Sequence, residues 1–123
     1  MAAANLAWCF VAIALAADPA IRPDLPNAVT FPGQEARFVR FLIHASSGSE
    51  PCIDELEVYG PDDRRNLALA ANGAKATASS CLTGYRQHAI EHLNDGQYGN
   101  DFSWIAAGIN DEWAQIELAK PAK

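Results

Sequence analysis

The run Leu93 to Asp101, Leu-Asn-Asp-Gly-Gln-Tyr-Gly-Asn-Asp, sets oxygen-bearing side chains around two glycines. Hard cations such as calcium gather about six to eight oxygens, some of them backbone carbonyls in tight glycine turns, so this run is the first candidate for chemistry. The competing reading is a plain Asp-Gly turn with solvated side chains. It is not an EF-hand, because the alternating Asp/Asn ligands and the closing Glu are absent. Just upstream, His88-Ala89-Ile90-Glu91-His92 spells H-x-x-E-H. In that pattern two imidazoles hold zinc and the glutamate activates a metal-bound water, which needs both rings on one face of a stable helix and a third ligand. Asn94-Asp95-Gly96 breaks the element two residues after His92, so a zinc hydrolase is a remote alternative. The third histidine, His44, sits at a strand end without catalytic neighbours.

These residues have to be positioned by short extended elements. Ala36 to His44 alternates, with Val39, Phe41 and Ile43 on one face, and predicts a strand. Ala45 to Pro51 is a polar turn-rich loop, and Cys52 to Tyr59 predicts the next strand, with Leu56 and Val58 inward and Glu55, Glu57 and Tyr59 outward. The two are expected to pair as an antiparallel hairpin. Asn66 to Ala70 reads as a short edge strand, Lys75 to Ser80 as another extended piece, and Ala89 to Leu93 as one helical turn ended by Asn94-Asp95-Gly96. Trp113 to Leu118 is the last clear strand, with Ala114, Ile116 and Leu118 set against Gln115 and Glu117. Trp104 and Trp113 are expected to pack in the core, worth about 2–3 kcal/mol each.

Residues 1–16 carry no charged side chain, and Ala14-Leu15-Ala16 has the small-x-small form of a signal-peptidase site. The expectation is a signal peptide and a secreted or periplasmic protein, with no membrane insertion after cleavage. A buried strand or a wrongly assigned start are the alternatives. The net charge of −6, with nine scattered basic residues, excludes a nucleic-acid surface and a polybasic lipid anchor. Export would leave Cys52 and Cys81. A bridge between them would close a loop of about 30 residues, worth ~3.5 kcal/mol, while separate buried and loop thiols are the other reading.

Taken together, N-L-A-L-A-x-N-G-A-K-A-T-A-S-S, A-I-E-H-L-N-D-G-Q-Y-G-N, S-W-I and W-A-Q-I-E-L resemble the opening half of a discoidin-type domain, also called the coagulation factor type C or galactose-binding-like module. A-R-F-V-R-F-L-I followed by C-I-D-E-L-E-V-Y-G resembles the closing half of the same module. The resemblance implies an all-β fold, a partial and incomplete jelly-roll β-sandwich. Its organisation would be an irregular lead-in at 17–35, closing strands at 36–60, a linker at 61–65, and the opening part of a second, truncated module at 66–123. It also implies a structural calcium held by Asp95, with Asn100 and Ser103 contributing. The loop at one end of the sandwich would bind a sugar, with Tyr85 stacking and Arg86 and His88 donating to hydroxyls. A Tyr-Arg pair in a loop can equally serve packing and solubility.

The functional expectation is a non-catalytic module, not an enzyme, that binds carbohydrate or other cell-surface material and is accessory to a catalytic domain in a longer parent protein. A structural β module without ligand affinity is the alternative. No nucleophile, base and orienting group stand at coherent spacing.

Overall fold

A computed structural model describes residues 21–62 and 64–123. The expected signal peptide at 1–16, the first part of the lead-in and Asp63 of the expected linker lie outside the described residues. Two compact units divide the chain, Met1–Pro32 and Gly33–Lys123. In the first, described from residue 21, the Asn27 side chain ties a turn: its Oδ1 accepts from Arg22 N at 2.8 Å, and its Nδ2 donates to the carbonyls of Arg22 and Leu25. No described helix is long and apolar enough to cross a membrane.

The second unit is built on one strand. β1 spans Ala36–Ala45, β2 Cys52–Ile53, β3 Lys75–Ala78, β4 Trp104–Ile105 and β5 Asn110–Ala122. β5 lies at the centre of an antiparallel three-stranded sheet ordered β1-β5-β3, and β2 pairs with β4 in a second, two-stranded sheet. The register sets Val39 opposite Ile116 and Phe41 opposite Ala114, while Ala76 and Ala78 face the same two β5 residues from the other side. Side chains directly opposite share a face, so the period-two patterns of β1, β3 and β5 merge into one apolar surface.

On that surface Ala114, Ile116 and Leu118 are buried. Ile116 and Leu118 pack with Ala68 and Ala74, and Ala114 packs with Leu93, Trp104 and Ala106. Full burial of a side chain such as Trp104, Leu93 or Ile116 contributes about 2–3 kcal/mol. The opposite face is wet: the Arg40 guanidinium lies 4.1 Å from the Trp113 ring and also donates to Gln115 Oε1, and Arg37 pairs with Glu117 at 2.8 Å. Trp104 is therefore the core tryptophan, whereas Trp113 is half-buried on the solvent side.

Three expectations are corrected. The fold is all-β with two small sheets, but neither closes or curls as a jelly-roll sandwich requires. β2 and β4 contribute two residues each, so the core face is covered chiefly by loops and by the 3₁₀ turns Arg86–His88 and Ile90–Leu93, which bury His88 and Leu93. The hairpin expected between β1 and the 52–59 strand does not form, because β1 pairs along β5 and only Cys52 and Ile53 enter a ladder. Beyond Ile53, Leu56 N donates to Leu93 O and Val58 N to the Asn66 side chain, isolated bonds that leave no continuous ladder. The edge strand expected at Asn66 to Ala70 is a turn, since Asn66 Oδ1 also accepts from Ala68 N. Each of the two sheets thus joins a strand of segment 36–60 to strands of segment 66–123.

The β1-β5 register shifts between Ala36 and Phe38, where β5 carries extra residues. Pro121, which has no N–H to donate, stands in that irregular stretch.

Candidate functional site

The loop after the last 3₁₀ turn is anchored from beneath. Leu93 and Asn94 are buried, Leu93 O accepts from Leu56 N, and Asn94 O accepts from Ala70 N. The Asn94 amide donates to Ala68 O at 2.8 Å and Ala74 O at 3.5 Å, so one side chain satisfies two carbonyls of the neighbouring loop. The chain then turns at Gly96, whose φ of +81° favours glycine and whose added Cβ would lie 3.1 Å from Leu69 Cδ1.

Above this anchor, three acidic side chains of the 54–57 segment grip the loop. Asp54 Oδ2 accepts from Gly99 N at 2.9 Å, Glu55 Oε2 from Gly96 N at 3.1 Å, and Glu57 Oε1 from the Tyr98 hydroxyl at 2.7 Å. Glu55 Oε1 is buried without a hydrogen-bond partner among the described residues. Burial pushes the Glu55 carboxyl up to about 7, helped by the negative charges of Asp95 and Glu57 and opposed by the Gly96 and Asp95 amides. Tyr98 is pushed up to about 12, first by its bond to Glu57, then by burial and the neighbouring carboxylates. The Glu57 carboxylate also faces the Tyr59 phenol, which is raised by burial first and by that contact second. Tyr59 and Tyr98 keep 53% and 62% of their surface exposed. Tyr59 also lines an open hollow of about 420 Å³ with Gly60, Pro61, Asp62 and Arg64.

Asp95, Asn100 and Ser103, the residues expected to hold calcium, bond to other groups of the chain. Asp95 Oδ1 accepts from Gln97 N at 2.8 Å, and Oδ2 accepts from His92 Nδ1 at 2.7 Å and Gln97 Nε2 at 3.3 Å. Ser103 is buried, with its Oγ 2.9 Å from His88 Nδ1, and Asn100 offers its carbonyl to the same hydroxyl. Among the described residues no group of three or more His, Cys, Asp or Glu could hold a metal ion.

The expected sugar-binding set is divided in the same way. Tyr85 and Arg86 are exposed, but His88 is buried and its Nδ1 is bonded to Ser103. The Tyr85 and His88 rings stand 6.0 Å apart and tilted by 50°. The H-x-x-E-H histidines sit on separate 3₁₀ turns joined by extended Ala89, with Ser103 the partner of His88 and Asp95 that of His92. Cys52 and Cys81 are free thiols; Cys81 Sγ donates to His88 O at 3.2 Å and its thiol is raised by burial and then by the charge of Glu91.

Two features escaped the sequence reading. Glu55 and Glu57 look like the wet side of a strand, and only their spacing beside Asp54 hints at a shared target. Glu112, at an inward position of β5, is buried and accepts from both Ser79 and Ser80, the latter at 2.7 Å. Ser80 Oγ in turn accepts from Ala107 N, and Trp104 Nε1 donates to Ser80 O. The Ser79-Ser80 pair before a loop was the available signal for a buried acceptor.

No family model, curated protein or solved structure matches the chain, so no family stands behind the jelly-roll, carbohydrate-binding or calcium-binding expectations and the site is read from its own chemistry.

Proposed function

We propose that this chain is a non-catalytic binding module for cell-surface material, glycan included, acting outside the cytoplasm after removal of residues 1–16. The observation that carries the reading is the pair of exposed tyrosines, Tyr59 and Tyr98, whose hydroxyls both meet the Glu57 carboxylate. Two aromatic faces beside carboxylates that accept from hydroxyls suit a polyhydroxylated ligand, which stacks its apolar face and anchors its polar edge. The net charge of −6 turns the surface away from anionic polymers. A catalytic domain in a longer parent protein would gain proximity to its substrate from such a module.

The test is binding of the purified protein to immobilised glycans and to cell-wall preparations, repeated with Tyr59→Ala and Tyr98→Ala. Retention by wild type that falls at least tenfold in both variants supports the reading. No retention by wild type favours a structural β module, a reading that draws on Tyr98 already spending its hydroxyl on Glu57.

A further inference from the structure

The resemblance implies a calcium held by Asp95, with Asn100 and Ser103 contributing, yet the backbone N–H groups of the turn that follows Asp95 are bonded to carboxylates of another segment. We propose that the 54–57 segment takes the place of a cation, holding this loop closed through Asp54, Glu55 and Glu57 so that its shape is independent of calcium. A bound cation would draw carboxylate and carbonyl oxygens inward around one centre. Here the arrangement is the reverse: the carboxylates stand on a separate segment and point at backbone N–H groups of the loop, at Gly96 and Gly99, with a third bond to the Tyr98 hydroxyl. An N–H group aimed at a carboxylate is a donor, which repels a cation and cannot ligate one. Asp95, the one carboxylate on the loop itself, is turned back onto His92 and Gln97. The bonds span 41 to 45 residues of sequence, so they pin two distant segments as a metal bridge would.

The inference concerns how the loop is held and does not require that Tyr59 and Tyr98 bind a ligand. The experiment is amide hydrogen exchange followed by NMR on the full chain, with a chelator or with millimolar calcium. Gly96 and Gly99 are expected to keep the same resonance positions and protection in both conditions. Asp54→Asn is expected to speed exchange at Gly99 by roughly tenfold, and Glu55→Gln at Gly96 by a smaller factor, because hydrogen bonds to a charged acceptor are the stronger ones. Calcium-dependent shifts at Asp95 or Gly96 in wild type would overturn the proposal, as would unchanged Gly99 exchange in Asp54→Asn. The wild-type comparison stands alone should a variant fail to fold.

Discussion

The Gly96 amide donates to Glu55 Oε2 at 3.1 Å while the other oxygen of that carboxylate is buried without a partner among the described residues. Burial raises the Glu55 carboxyl from its ordinary 4.5 to about 7, so the folded protein holds this proton more tightly than the unfolded chain. The stabilisation is complete below the ordinary value and is lost as pH rises through the folded one. Thermal unfolding of wild type should therefore fall between about pH 5 and about pH 8 more steeply than that of Glu55→Gln, which has no such proton to lose. Parallel profiles for the two proteins would refute this.

Glu112 titrates in the opposite sense. Hydrogen bonds from Ser79, then Ser80, hold it below its ordinary 4.5 despite burial, so its contribution is present above that value and disappears as pH falls. Glu112→Ala would strand both hydroxyls, and urea denaturation should show a loss of about 2–3 kcal/mol. Gly108→Ala should disturb the same carboxylate, because the new Cβ would meet Glu112 Oε1 at 2.6 Å.

Gly96→Ala combines a left-handed backbone with a close approach to Leu69. A cost of about 1–2 kcal/mol is expected, read as a lower urea midpoint at unchanged slope.

Asn94→Ala leaves the Ala68 carbonyl inside the core without its donor. The expected penalty is about 1–3 kcal/mol, and Asn94→Asp should not restore stability, since a carboxylate cannot donate to a carbonyl. Equal melting of Asn94→Ala and wild type would remove Asn94 from the anchor.

Much of the frame was legible. Val39, Phe41 and Ile43 in β1, and Ala114, Ile116 and Leu118 in β5, lie on the face their alternation dictates. Period two fixes which side of a strand is apolar, but it names no partner, and β1 chose β5 over the nearer 52–59 segment. That segment reads as a strand because Leu56 and Val58 do turn inward. Its intervening carboxylates bond across to the 96–99 loop, a target 41 to 45 residues away that no local pattern could reveal. The partners of the candidate site were hidden for a related reason. An Asp-Gly loop shows which polar groups it carries but not what meets them, and His92, Gln97 and the 54–57 carboxylates meet this one only in three dimensions. His88 was likewise assigned outward from its neighbours Tyr85 and Arg86, although a 3₁₀ turn places adjacent side chains on different sides.

The partnership of β1 with β5 also governs how the molecule comes into being. Ala45 meets Asn110 and Ala36 meets Ala122, so the first long strand leaves the ribosome well before its mate has been synthesised. Until then the backbone N–H and C=O groups of β1 have no ladder to join. Pairing between strands so far apart in sequence is the slow kind of contact to form, because the long loop between them must close before any of its hydrogen bonds is gained.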